Sequence, residues 1–121
     1  MSPTINRERL DQVSLDDLDL RNELIRLFLS DAPAQIQALS QAVRMRDLHA
    51  WTAASHRLKG GSGNLGAERL AELCSEAEAA GRRGLSDDLD TLFSAVQDEF
   101  GRAEAELARI RGGGDQEGAA P

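Results

Sequence analysis

A neutral imidazole is a good nucleophile at about pH 7, and this 121-residue chain has two, His49 and His56. His56 opens the run His56-Arg57-Leu58-Lys59-Gly60-Gly61-Ser62-Gly63-Asn64-Leu65-Gly66-Ala67. On a wheel of about 100° per residue, Leu48, Trp51, Ser55, Leu58, Ser62 and Leu65 make one apolar stripe, and His56 points roughly 130° away from it. Its neighbours on that outer face are Thr52, Ala53, Gly60 and Gly63, all small. Lys59, one turn on and about 60° to the side, reaches the same space. A phosphoryl group on Nε2 needs room for three oxygens and a cation to balance them. A bare helix face would also let another protein bring an acyl phosphate into line, and phosphoryl transfer depends mainly on positioning and charge stabilisation.

The plainer readings are that an exposed histidine is a surface residue and that Gly60-Gly61 is a helix end, since each glycine costs a helix roughly 0.5–1 kcal/mol relative to alanine. However, Leu58, Ser62 and Leu65 keep the stripe in phase across the glycines. That pattern predicts a helix running to about Asn64, with Gly66 making the turn.

The elements around this helix can be read in the same way. The first twelve residues are polar and read as a flexible N-terminus (1–12). Ser14 is a candidate N-cap with Asp17 three residues on, followed by Leu20, Leu24, Leu27 and Phe28 at helical spacing. Asp31-Ala32-Pro33 reads as a break and restart, either a kink or a true gap. Ile36, Leu39 and Val43 continue to about Arg46, and Asp47 caps the helix that carries His56. A fourth helix follows Gly66 with Leu70, Leu73, Cys74 and Ala77 in its stripe. Gly81 to Gly84 reads as a turn. Ser86 caps a long last helix whose stripe runs Leu89, Leu92, Phe93, Val96, Phe100, Ala103, Leu107 and Ile110.

No segment reads as a strand. Short connections between amphipathic helices imply an all-α, up-and-down antiparallel four-helix bundle with an additional short N-terminal helix. The packed domain is expected over 13–111, and the glycine-rich stretch 112–121 reads as a disordered tail.

Composition narrows the function classes. Aromatics are only 3% and there is no tyrosine, so the core must rest on Leu and Ala. A net charge of −7 argues against a nucleic-acid partner. No apolar run suits a signal peptide or a membrane span. Cys74, the only cysteine, cannot form an internal disulfide and reads as a small buried residue; the expected location is cytoplasmic. His49 lies about 10 Å from His56 along the axis, too far to share a metal directly, and no metal site is expected. It reads as a surface residue at the rim of the same face. Leu15, Leu18 and Ile25 are candidate exposed apolar residues.

The run from His56 to Ala67 resembles the HxLKGxSxxxGA signature of histidine-containing phosphotransfer (HPt) domains, with every fixed position matched. LIRLFLSDAPAQIQAL, RDLHAWTAASH and ERLAELCSEAEAAGR resemble that family's second helix, its lead into the active helix and its fourth helix. The resemblance implies that His56 accepts a phosphoryl group from a receiver-domain aspartate and passes it to another receiver. Lys59 would steady the phosphate and Gly60 would give the receiver room. Thr52, Ala53, Gly63 and Arg82 would lie at the docking face.

The partners implied are receiver domains of response regulators and of a hybrid sensor histidine kinase. The receiver would bring Mg²⁺, and the chain would have no cofactor of its own. On the fourth helix the family commonly has a glutamine that orients the imidazole through Nδ1. Here the corresponding position is Glu78, which could hold an Nδ1–H or be merely solvated.

The chain is then expected to be a monomeric relay protein, not an autonomous enzyme. A start at Met1 with no kinase or receiver segment suggests a free-standing shuttle, an excised domain being the other option. The alternative is an HPt-like module that binds and inhibits a kinase or receiver without carrying phosphate. A metal-binding bundle enzyme is disfavoured, because both histidines fall on one outward face and no Glu-x-x-His occurs.

Overall fold

The computed structural model describes residues 4–113, which form five α-helices and one short 3₁₀ turn, with no strand among the described residues. These are α1 (Arg7–Val13), α2 (Leu18–Met45), α3 (Leu48–Asn64), α4 (Glu68–Arg82) and α5 (Leu89–Arg111). The four long helices pack in a ring, α3 against α2 and α4, and α5 against α2 and α4. Cross-helix pairs give their directions. Arg21 donates to the Ile110 carbonyl while Arg46 meets Asp90, so α2 and α5 are antiparallel. Trp51 reaches Ala77 while Gly63 lies beside Ala71, so α3 and α4 are antiparallel as well.

The stripes predicted for α3, α4 and α5 line the interior. Trp51, Leu58, Leu70, Cys74, Ala77, Val96, Ala103, Leu107 and Ile110 are almost completely buried. Burying a Leu- or Ile-sized side chain is worth about 1.5–3 kcal/mol. Asp47 caps α3 as expected, its Oδ1 accepting from the Ala50 amide at 3.0 Å. None of the helices among the described residues is long and apolar enough to cross a membrane.

Four local expectations are corrected. Residues 7–13 are helical rather than part of a loose terminus. Asn6 caps α1, and Ile5 and Leu10 lie in the core, so the packed unit begins before residue 13. Ser14 ends α1, its hydroxyl donating to the Leu10 carbonyl at 2.8 Å, and Asp17 is the cap of α2. The α2 helix runs unbroken through Pro33 for 28 residues. Proline there removes one backbone bond, but Phe28 and Ala32 before it and Leu39 after it hold both halves to the core. Ser86 starts a 3₁₀ turn, not α5, and makes no side-chain cap bond. Of the tail expected at 112–121, residues 114–121 lie outside the described residues.

The α3–α4 turn is fixed at Gly66. Its φ of +81° suits glycine, and a Cβ there would come within 2.5 Å of the Asn6 carbonyl oxygen. The Gly66 carbonyl in turn accepts from the Asn6 amide at 2.7 Å. This pins α1 across the end of α3.

Candidate functional site

The α3 helix continues through its glycines to Asn64, because its inner face is too well packed to release. Ser62 is buried and donates to the Leu58 carbonyl at 2.6 Å, and Leu58 and Trp51 are buried beside it. The three glycines of the helix then differ sharply. A Cβ on Gly61 would meet the Phe28 ring at 3.2 Å, so Gly61 faces α2. One on Gly63 would just touch Ala71, and one on Gly60 would meet nothing within 4 Å. Gly60 is therefore the bare centre of the outer face, one turn from His56.

The α4 helix supplies what lies beneath the imidazole. Trp51 donates from Nε1 to the Ala77 carbonyl at 2.7 Å, locking the two helices together next to Glu78. Glu78 is buried, whereas the His56 and Arg82 side chains that meet it are largely exposed and Lys59 is half-buried. Its Oε2 lies 3.0 Å from His56 Nδ1 and accepts from Arg82 Nη2 at 2.7 Å. Its Oε1 accepts from Lys59 Nζ at 2.7 Å.

The hydrogen bonds from Lys59 and Arg82 outweigh burial and hold the Glu78 carboxyl down to about 2, with His56 adding to the same effect. An ionised carboxylate has no proton to give, so the proton in the 3.0 Å contact belongs to Nδ1. In the neutral ring this leaves Nε2 as the nitrogen with the free lone pair. His56 itself is well exposed.

The other anticipated site residues divide between two shallow depressions flanking this pair. His49, Thr52, Ala53, Arg57 and Arg82 line one with His56. Lys59, Gly60 and Gly63 line the other, against Ala71 and Ser75. Thr52 is half-buried, its hydroxyl donating to the Leu48 carbonyl, so it forms the floor rather than a projecting contact. Ala53 is exposed. Leu15 and Leu18 are exposed at the α1–α2 corner as expected, whereas Ile25, also expected to be exposed, is fully buried. Cys74 is buried, and burial pushes its thiol up to about 12. Among the described residues, no three His, Cys, Asp or Glu side chains gather so as to hold a metal ion.

The Hpt domain model matches residues 23–111, well over half of the chain. The chain belongs to the Hpt domain family. Members of that family are phosphocarrier relay proteins that interact with receiver domains of two-component systems. Among solved structures, histidine-containing phosphotransfer protein B (HptB) from Pseudomonas aeruginosa PAO1 is similar at 27% identity and a TM-score of 0.86, with 92% of this chain and 96% of that one covered. The HPT domain of the Hpt sensor hybrid histidine kinase from Shewanella has the same fold, at 22% identity and a TM-score of 0.79, with 88% and 92% covered. No curated protein matches significantly.

Two features of this Hpt site escaped the sequence reading. The Lys59 ammonium donates to the Glu78 carboxylate on the neighbouring helix. Gly81 is not a turn residue but lies inside α4. A Cβ on it would overlap Thr52 Oγ1 and sit 2.8 Å from Trp51 Cδ1. The spacing of small residues Cys74, Ala77 and Gly81 on one side of α4 was the available signal for such a close approach.

Proposed function

We propose that the chain is a monomeric, cytoplasmic shuttle in a multistep phosphorelay, with His56 as its phosphoacceptor. The Nε2 lone pair attacks the phosphorus of a receiver aspartyl phosphate. The P–O bond breaks towards the aspartate, and a P–Nε2 bond forms. A second receiver aspartate later reverses the process. The donor is the receiver of a hybrid sensor histidine kinase and the acceptor that of a response regulator.

Glu78 holds the Nδ1 proton and the ring orientation. Lys59, anchored beside the ring, turns from Glu78 to the phosphoryl oxygens. Gly60 leaves the approach open, and Ala53, Gly63 and Arg82, with Thr52 as floor, form the contact face. The receiver brings Mg²⁺ and its own acidic residues.

The observation that carries this reading is the Nδ1–Glu78 contact of 3.0 Å beneath an exposed ring. It leaves Nε2 free beside a glycine with open space over it. The test is to incubate wild type and His56→Gln with a phosphorylated receiver. Acid-labile, alkali-stable label on wild type alone is expected. Label that persists in His56→Gln would overturn the assignment, and receiver binding without any transfer would favour the inhibitory-module alternative.

A further inference from the structure

The acceptor that meets Nδ1 is a charged one, and this has a consequence for the phosphorylated protein. A side-chain amide can serve either state of Nδ1, since its oxygen accepts from Nδ1–H and its NH₂ donates to a bare nitrogen. An ionised carboxylate can serve only Nδ1–H. If the phosphorylated ring lost that proton, two lone pairs would face each other 3.0 Å apart on a buried side chain. Such an arrangement is costly where water cannot intervene.

We infer that Glu78 keeps the proton on Nδ1 after phosphorylation and so makes phospho-His56 a short-lived, donor-biased intermediate. This rests on the reading of His56 as the phosphoacceptor. In transfer, a receiver carboxylate oxygen forms a bond to phosphorus, the P–Nε2 bond breaks, and its electron pair stays on Nε2. With Nδ1–H in place the leaving group is neutral imidazole. Without it the leaving group is imidazolate, a far poorer one. Hydrolysis follows the same course, with water as nucleophile losing a proton to solvent.

The charged groups facing the ring are Glu78 and Arg82 from α4, and Lys59, Arg57 and His49 from α3 itself. Lys59 and Arg82 both sit on the carboxylate oxygens. Lys59 must leave Glu78 to hold a phosphoryl group, and its departure exposes more of the carboxylate's charge to Nδ1–H.

The experiment is to label wild type and Glu78→Gln from a phosphorylated receiver, remove the receiver, and follow loss of label across pH. At about pH 8 the variant should keep its phosphoryl group roughly tenfold longer, because an amide holds the proton of the leaving imidazole less firmly than the carboxylate 3.0 Å from Nδ1 does. The two rates should converge towards acid pH, where solvent supplies the Nδ1 proton whichever side chain lies beneath the ring. Superimposable profiles would overturn the inference. So would a slowing by the same factor at every pH, which is the signature of a freed Lys59 alone. Should Glu78→Gln not fold, nitrogen NMR of phosphorylated wild type at about pH 8 reads Nδ1 directly: a protonated nitrogen supports the inference and a bare one ends it. Failure of wild type to take label would instead remove the phosphoacceptor reading beneath it.

Discussion

Gly60 and Gly81 lie on facing helices on either side of the same site, and they are glycines for opposite reasons. Gly60 has nothing within 4 Å of where a Cβ would stand. Gly81 has no room for one, because Thr52 and Trp51 already fill the space. The first glycine keeps open a path that a partner must use. The second lets α4 come close enough to α3 for Glu78 to pass under the imidazole. Emptiness outside and closeness inside are both needed. A hydrogen bond from an exposed ring to a buried carboxylate requires tight helices below and clear space above.

Substitutions at the two positions should therefore separate transfer from stability. The largest effect is expected for Gly60→Gln. It should slow phosphoryl transfer from a receiver on the order of a hundredfold, the scale of a misplaced reacting group, with the melting temperature unchanged or raised. Normal transfer in that variant would break the comparison. Next comes a pair of alanine variants read by denaturant unfolding. Gly81→Ala should lose about 1–3 kcal/mol through overpacking, whereas Gly60→Ala should gain about 0.5–1 kcal/mol from helix propensity. Equal signs would mean that the contact at Gly81 is not tight.

The smallest effect concerns acid. Glu78 sits at about 2 in the folded protein against an ordinary 4.5. Its folded value is depressed, so its stabilising contribution is full above the ordinary value and disappears as pH falls through the depressed one. The melting advantage of wild type over Glu78→Gln should therefore be constant above the ordinary value and shrink between the two. An advantage that persists below the depressed value would place it in packing and not in charge.

The parts of this molecule legible in its sequence were those governed by helical period. The α3 stripe predicted both the outward direction of His56 and the continuation of the helix through three glycines. Glu78 came instead from the resemblance to the HPt family, which left open whether it holds Nδ1 or is solvated. What escaped depended on contacts between elements. Ser14 and Asp17 each satisfy the local rules for a cap. Only the burial of Leu10, which makes residues 7–13 a helix, decides that Ser14 closes one element and Asp17 opens the next. Asp31-Ala32-Pro33 carries every local mark of a break, and only the anchoring of Phe28, Ala32 and Leu39 in one core keeps α2 whole. Gly81 was read as punctuation because a glycine inside a helix has no local reason to be there. Its reason is the Trp51 and Thr52 side chains of another helix.

The central claim is that Glu78 occupies Nδ1 of His56 and leaves Nε2 as the nucleophile. The most direct measurement is phosphorus and nitrogen NMR of wild type labelled from a phosphorylated receiver, which identifies the nitrogen that carries phosphorus. A single phosphoramidate on Nε2 of His56 is predicted. Phosphorus on Nδ1, or on His49, would contradict the account.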